Sequence, residues 1–298
     1  MAALTFTNSP FCKSDPPPFL QPKHRRDREP PCSLLLHVHR RPRSLLQAPL
    51  PQDIDSSRRV LLEDSSFHAG DDCVVLKSGK DAAGRAFATP TANVLMRNLT
   101  LEACSCFKYS SGGLHGGLHW YDGCGGLKVG TEMSGGIANV TFEDSPIMYS
   151  GAALKMLSPK GRGGFIRNVT WRGITVEESG AVLWLQVSSE SATPAENAHV
   201  SEVTVEDVTL SKLACRFHMS AHPQTDCESV GVIDLNGNEP PVSMRMTNMK
   251  VLAGGDGGWS CAGSPMALAA HAAGVNPPLP TACAAPAVAA VGAAGPEV

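Results

Sequence analysis

Between about Ser56 and Asp256 the chain alternates short apolar runs with single polar positions and never sustains the three-and-four spacing of an amphipathic helix. One phrase keeps returning: "RRVLLEDSSF" from Arg58, "ANVLMRNLTL" from Ala92, "IANVTFEDS" from Ile137, "IRNVTWRGITV" from Ile166, "VSEVTVEDVTL" from Val200 and "VSMRMTNMKV" from Val242. The copies recur at about 30 to 45 residues, a period that marks a repeat array. Within each copy the alternation, as at Val140 and Phe142, predicts one half-buried strand. A strand that short cannot bury its apolar face alone and must stack on the next copy. The pattern therefore predicts a parallel β-solenoid, with roughly eight coils of about 22 to 25 residues over residues 56 to 256. An antiparallel sandwich is the alternative, but it wants several tight hairpins, and "LNGNEP" at Leu235 is the one Asn-Gly turn that follows a strand-like run.

The flanks differ in character. Residues 1–11, "MAALTFTNSPF", read as a strand fragment of the same kind. Residues 12–52 combine proline and arginine without apolar periodicity, as in "KHRRDREPPC" and "HVHRRPR", which predicts a disordered segment. The solenoid is then expected over residues 53–263, followed by an Ala/Pro-rich, low-complexity tail at 264–298.

Composition narrows the class of protein. A formal charge of -3 with 18% charged residues shows no basic excess, so neither nucleic acid nor an anionic membrane is expected as a partner. No stretch approaches the roughly 20 apolar residues of a membrane span, and the opening "MAALTFTNSPFCKS" lacks the regions of a signal peptide. Ten cysteines fit either disulfides or buried thiols. They form no CxxC pair, and the glycines between His115 and His119 speak against one helical face, so no metal is expected. Cys215 with Cys227, and Cys261 with Cys283, are spaced to close loops in an exported protein.

Candidate chemistry centres on "SSFHAGDDCVVLKSG", where Asp71 and Asp72 lie side by side after a glycine. A regular strand would point them to opposite faces, so they share a site only at a turn or bulge. With the repeat, this stretch resembles the acidic core of glycoside hydrolase family 28, the polygalacturonase-like enzymes. "LTFTNSPF", "GLKVGTEMSGGIANVTFED" and "ALKMLSPKGRGGFIRNVTWRGITV" resemble, in order, the family's strand before the cleft, its glycine-rich coil and its basic coil. The resemblance covers roughly Asp53 to Val176. It implies a right-handed parallel β-helix, no cofactor, a monomer at the cell wall or outside the cell, and inverting hydrolysis of the acidic polysaccharide α-1,4-galacturonan. By that likeness Asp71 is the general acid, Asp72 is part of the base, and Lys155 pairs a substrate carboxylate.

The departures from the family are equally local. The family's third carboxylate falls in "QAPLPQ", at Leu50; Asp53 and Asp55 follow that place rather than fill it. Its Gly-His-Gly falls on Cys124, Gly125 and Gly126, and its Arg-Ile-Lys on Ala153, Leu154 and Lys155. Histidine and arginine are thus missing, which predicts impaired activity. The alternative is a solenoid that binds acidic polysaccharide without turnover, or only retains the scaffold. A calcium-dependent lyase on a similar fold would want a carboxylate cluster beyond the Asp pair. The likeness also implies a bridge from Cys73 to Cys124, against the reading of two buried thiols. Asn98, Asn139 and Asn168 open Asn-X-Thr sequons at matching places of the phrase, which favours stacked asparagine turns over glycans. Trp120 and Tyr121 are read as anchors of an inserted loop, or as a sugar-stacking pair.

Overall fold

The computed structural model describes residues 33–37, 52–69, 72–102, 125–187, 193–213, 229–235, 242–253, 258–262, 268–280 and 283. Sixteen strands run in chain order: β1 (Ser33–His37), β2 (Gln52–Asp55), β3 (Arg58–Glu63), β4 (Ser66–His68), β5 (Val74–Lys77), β6 (Thr91–Arg97), β7 (Thr100–Glu102) and β8 (Gly125–Gly130) are the first half. β9 (Ile137–Glu143), β10 (Pro146–Ser158), β11 (Phe165–Val187), β12 (His199–Leu213), β13 (Ser229–Asp234), β14 (Val242–Val251), β15 (Gly258–Ala262) and β16 (Leu268–Ala273) complete the set. One helix, α1 (Asp81–Phe87), stands between β5 and β6.

Every pairing between these strands is parallel, which excludes the sandwich. The pairs form three ladders. The first stacks β1, β3, β6, β9, the starts of β11, β12 and β14, and β16. The second stacks β4, β7, the start of β10, the middle of β11 and the ends of β12 and β14. The third stacks β2, β5, β8, the ends of β10 and β11, β13 and β15. Each coil visits the three in turn, so the chain is a parallel β-helix, right-handed as parallel crossovers are.

The recurring phrase sets this geometry. Val60, Val94, Val140, Val169, Val203 and Met244 stack at one interior level, and Leu62, Met96, Phe142, Trp171, Val205 and Met246 at the next. All are at most 3% exposed. Phe142 and Trp171 lie ring over ring, centroids 5.9 Å apart and planes within 8°. Two left-handed residues, five apart, bend five of the copies, and the copy from Val242 keeps only the second. Arg59, Asn93, Asn139, Asn168 and Glu202 have φ of 53° to 57°, and Asp64, Asn98, Asp144, Gly173, Asp207 and Asn248 mark the corner into the second ladder with φ of 49° to 62°. Asparagine, aspartate and glycine tolerate that conformation best, hence their recurrence. Asn139 Nδ2 donates to Asn93 Oδ1 at 3.0 Å and Asn168 Nδ2 to Asn139 Oδ1 at 3.1 Å, the stacked turns expected of those two sequons. Asn98 does not match them: it stands in the corner row, where its Nδ2 donates to Asp64 Oδ1.

Coil length departs from expectation. The in-register residues Arg58, Ala92, Ala138, Arg167 and Ser201 are 34, 46, 29 and 34 residues apart. Among the described residues from 56 to 256 the first ladder is crossed six times rather than eight, because the turns between ladders carry extra chain such as α1. The strands also run past the boundaries drawn from composition. β1 lies inside the Pro/Arg-rich stretch and pairs with β3, and β16 lies inside the Ala-rich tail and pairs with β14. Backbone pairing needs no apolar periodicity, so a bland sequence can extend a ladder that its neighbours template. Beyond β16, Val275 and Leu279 pack against the core, Trp259 Nε1 donates to the Pro277 carbonyl at 2.9 Å, and Cys261 is bridged to Cys283. Residues 1–11 lie outside the described residues, as do Cys215 and Cys227.

Candidate active site

The outer face of the third ladder carries the candidate chemistry. In register along it stand Val75, Lys128, Lys155, Trp184, Val232 and Ser260. Leu127 and Val129 on β8, and Leu154 and Met156 on β10, are fully buried in the core, so alternation turns Lys128 and Lys155 outward.

Asp72 leads into β5 and is fixed against the start of β8 by a reciprocal pair of bonds. Cys73 N–H donates to the Gly125 carbonyl at 2.8 Å, and Gly125 N–H donates to Asp72 Oδ1 at 2.6 Å. Lys128 Nζ donates to the other oxygen, Oδ2, at 2.5 Å. Asp72 is 4% exposed and Lys155 is 2% exposed. The Lys155 ammonium lies 5.9 Å from the centre of the Trp184 ring, a cation–π contact. Burial pushes the Asp72 carboxyl above its ordinary value, and the charges of Lys128 and Lys155 and the bonds from Lys128 and Gly125 oppose that rise without cancelling it.

Of the residues singled out in sequence, Asp72 and Lys155 are brought together here. Asp71, His115, His119, Trp120, Tyr121 and Cys124 lie outside the described residues, and Cys73 is buried. Asp53 is paired with Lys77 at 2.6 Å, and Asp55 accepts from Gly79 N–H at 3.0 Å, so each has a local partner. Gly125, where the family pattern has histidine, leaves no room for one. A Cβ there would stand 2.6 Å from Lys155 Cδ and 2.8 Å from Asp72 Oδ1. Ala153, where the pattern has arginine, is fully buried in the core beside Leu154. β10 turns from the second ladder to the third at this point, and Ala152 is the residue that packs outside with Ala181 and Trp184. Among the described residues no group of three or more His, Cys, Asp or Glu could hold a metal ion. No helix among them is long and apolar enough to cross a membrane.

Three site residues escape the sequence reading: Lys128, Trp184 and Asp234. Lys128 had a signal, since alternation in "GGLKVG" leaves it outward, but its neighbours appear only once coils 27 and 56 residues away are aligned. Next to Trp184, Leu157 begins a cleft of about 410 Å³ lined also by Thr131, Ser158, Lys160, Gln186 and Asp234. That volume suits a small ligand or a few sugar units. On its wall Gln186 Nε2 donates to Asp234 Oδ2 at 3.5 Å, and Asp234 Oδ1 is buried without a partner among the described residues.

A buried carboxylate between lysines, beside an aromatic ring and a cleft on the face of a β-helix, narrows the kinship, and comparison decides it. The profile of glycosyl hydrolases family 28 matches residues 52–272. The chain belongs to that family. A probable polygalacturonase of Vitis vinifera is 31% identical over 131 residues, covering 44% of this chain and 23% of that protein. A probable endopolygalacturonase of Aspergillus fumigatus is 27% identical over 127 residues, 42% of this chain and 25% of that one. The matched stretch thus spans about a quarter of these curated relatives. Among solved structures, a family 28 exopolygalacturonase of Yersinia enterocolitica aligns with a TM-score of 0.49 at 15% identity, over 75% of this chain and 37% of that one. On the third ladder of this family 28 chain, Lys128 brings a second cation, beside Lys155, against Asp72.

Proposed function

We propose that this family 28 chain hydrolyses α-1,4-linked galacturonan, the acidic polysaccharide of pectin, as an attenuated inverting enzyme without a cofactor, acting as a monomer outside the cell. The observation that carries the reading is the buried Asp72 carboxylate set between Lys128 and Lys155 on the outer face of the third ladder, with Trp184 and an open cleft alongside. Each group has a use on that substrate. Lys155, almost wholly covered, acts as a fixed positive charge under the groove for a uronate carboxylate, and the buried Trp184 indole holds its ammonium in place. Asp72 serves in the base that activates water, and Asp71, its chain neighbour, serves as general acid; inverting carboxyl pairs stand about 6.5 to 9.5 Å apart to admit that water. The Cys261–Cys283 bridge supports an oxidising compartment.

Attenuation follows from the gaps. Leu50, Gly125 and Ala153 bring no carboxylate, imidazole or guanidinium where the family pattern has them, and a single positioned acid or base is worth about 10²–10⁴-fold. A second reading, a solenoid that binds acidic polysaccharide without turnover, is favoured by one observation: both Asp72 oxygens already accept bonds, from Gly125 and Lys128. Release of reducing ends from polygalacturonate separates the two. Slow turnover in the full chain that disappears in both Asp71→Asn and Asp72→Asn is the expected result. Binding without turnover in all three proteins would leave the second reading standing, and turnover that survives Asp71→Asn would remove that residue's role.

A further inference from the structure

We propose that Lys128 is a positioning residue of this site: its bond to Oδ2 fixes the Asp72 carboxyl, and its ammonium is the charge partner that this buried carboxylate needs. The inference rests on the hydrolase reading in so far as Asp72 belongs to the base.

The argument begins with stacking. Lys128 and Lys155 are direct register partners on neighbouring parallel strands, which lie about 4.8 Å apart, and like charges so placed repel. A repeat protein selects against such a pair unless something offsets it. Asp72 does so: its side chain is 6% exposed, that of Lys128 is 12% exposed, and they share the short bond to Oδ2. Among the described residues, the charged groups that face Asp72 are Lys128 from β8 and Lys155 from β10; Asp71 precedes it in the chain. Lys155 is also drawn to the Trp184 ring, so Lys128 is the cation in direct contact with the carboxyl.

Without Lys128, the rise that burial causes is larger. A carboxyl shut away from water favours its neutral form, and a neutral carboxyl accepts no proton from a nucleophilic water. With Lys128 on Oδ2 and Gly125 N–H on Oδ1, the plane of the group is set from both sides. Lys128 thus need not touch the sugar to matter.

The sign of the effect is definite. Removing a cation at contact distance raises a carboxyl midpoint by about 1 to 3 pH units. The test follows the Asp72 side-chain carbonyl by ¹³C NMR titration in the full chain, for the wild type, Lys128→Met and Lys128→Arg. The midpoint is expected to rise in the methionine variant and to stay near the wild type in the arginine variant. The acid limb of kcat/KM on polygalacturonate should move by the same amount, with KM nearly unchanged. Should Lys128→Met fail to fold, Lys128→Gln, which retains a donor without charge, must still show a rise. A midpoint that does not move on loss of the charge overturns the assignment, whatever the activity. A midpoint that moves in proteins that never turn over polygalacturonate sustains it and sinks the hydrolase reading instead.

Discussion

The outer faces of the first and third ladders are built by opposite logics. On the first, Glu63, Arg97, Glu143, Arg172 and Glu206 stand in register, and the sign alternates at every step. Arg97 pairs with Glu63 at 2.7 Å, and Arg172 pairs with Glu143. Each coil gives its neighbour the charge that stacking requires, and nothing outside the chain is needed to explain the row. On the third ladder the row reads Asp53, Val75, Lys128, Lys155, Trp184, Val232 and Ser260, with two cations adjacent and the Asp72 carboxylate, from outside the row, set against them. Where every copy repeats, residues answer to the stack. Where the repetition breaks at a cost, they answer to something else, here the chemistry proposed for the cleft.

That contrast predicts that damage to the first ladder lowers stability and damage to the third lowers function. The largest stability effect is expected from Trp171→Ala, which empties the interior stack beneath the first ladder. Trp171 is fully buried and lies ring over ring on Phe142, so the loss should be about 3 to 5 kcal/mol in urea unfolding, near the upper end for a single substitution. Activity per folded molecule should be unchanged, and a folded Trp171→Ala protein with selectively lost turnover would break the division between the ladders.

A smaller loss of stability, about 1 to 3 kcal/mol as overpacking usually costs, is expected of Gly125→Ala on the third ladder. The added methyl would stand 2.6 Å from Lys155 Cδ, in the middle of a buried chain rather than at its free end, and 2.8 Å from Asp72 Oδ1. It must push the charged cluster apart, so binding or turnover of polygalacturonate should fall further than stability alone explains. Gly125→His, the substitution that would restore the family pattern, should behave worse still. A gain of activity on introducing that histidine would show that the cluster can open to admit it.

Much of the fold was legible because its cause is local. The phrase "NVTF" and its variants carry both the inward valines and the left-handed asparagines, and stacking copies of one motif leaves few other solutions. Coil length was not legible, since the turns between ladders obey no common length. Nor were β1 and β16, whose pairing is imposed by the backbone of a neighbouring coil. For the site, the Asp pair and Lys155 stood out by resemblance, whereas Lys128 did not. Its meaning depends on contact with Asp72, 56 residues earlier, and with Lys155, 27 residues later, and no local pattern reports such a contact. Ala153 misled for a related reason: linear correspondence puts it beside Lys155 on the outer face, and the corner in β10 turns it inward.

The smallest expected effects sharpen the first ladder's side of the comparison by editing its left-handed row. Asn168 has φ of 53° and its amide donates to Asn139, while Glu202, which follows the in-register pair Arg167 and Ser201, sits one coil on with φ of 57°. An L-residue without a local polar side chain loses about 1 to 2 kcal/mol in this conformation, so Asn168→Ala should destabilise by about that amount. Asn168→Gly, which keeps the backbone freedom and loses only the exposed amide bond, should fall between alanine and the wild type. Glu202→Asn should go the other way, because it places the tolerant residue where a glutamate now pays the strain and extends the amide row by one rung; a gain of about 0.5 kcal/mol is expected. Shifts in the urea midpoint at constant slope measure all three, with no change in polygalacturonate turnover. If Glu202→Asn destabilised the chain, the row would be set by the particular residue in each coil rather than by the left-handed turn they share, and the repeat logic of the first ladder would fail at its simplest point.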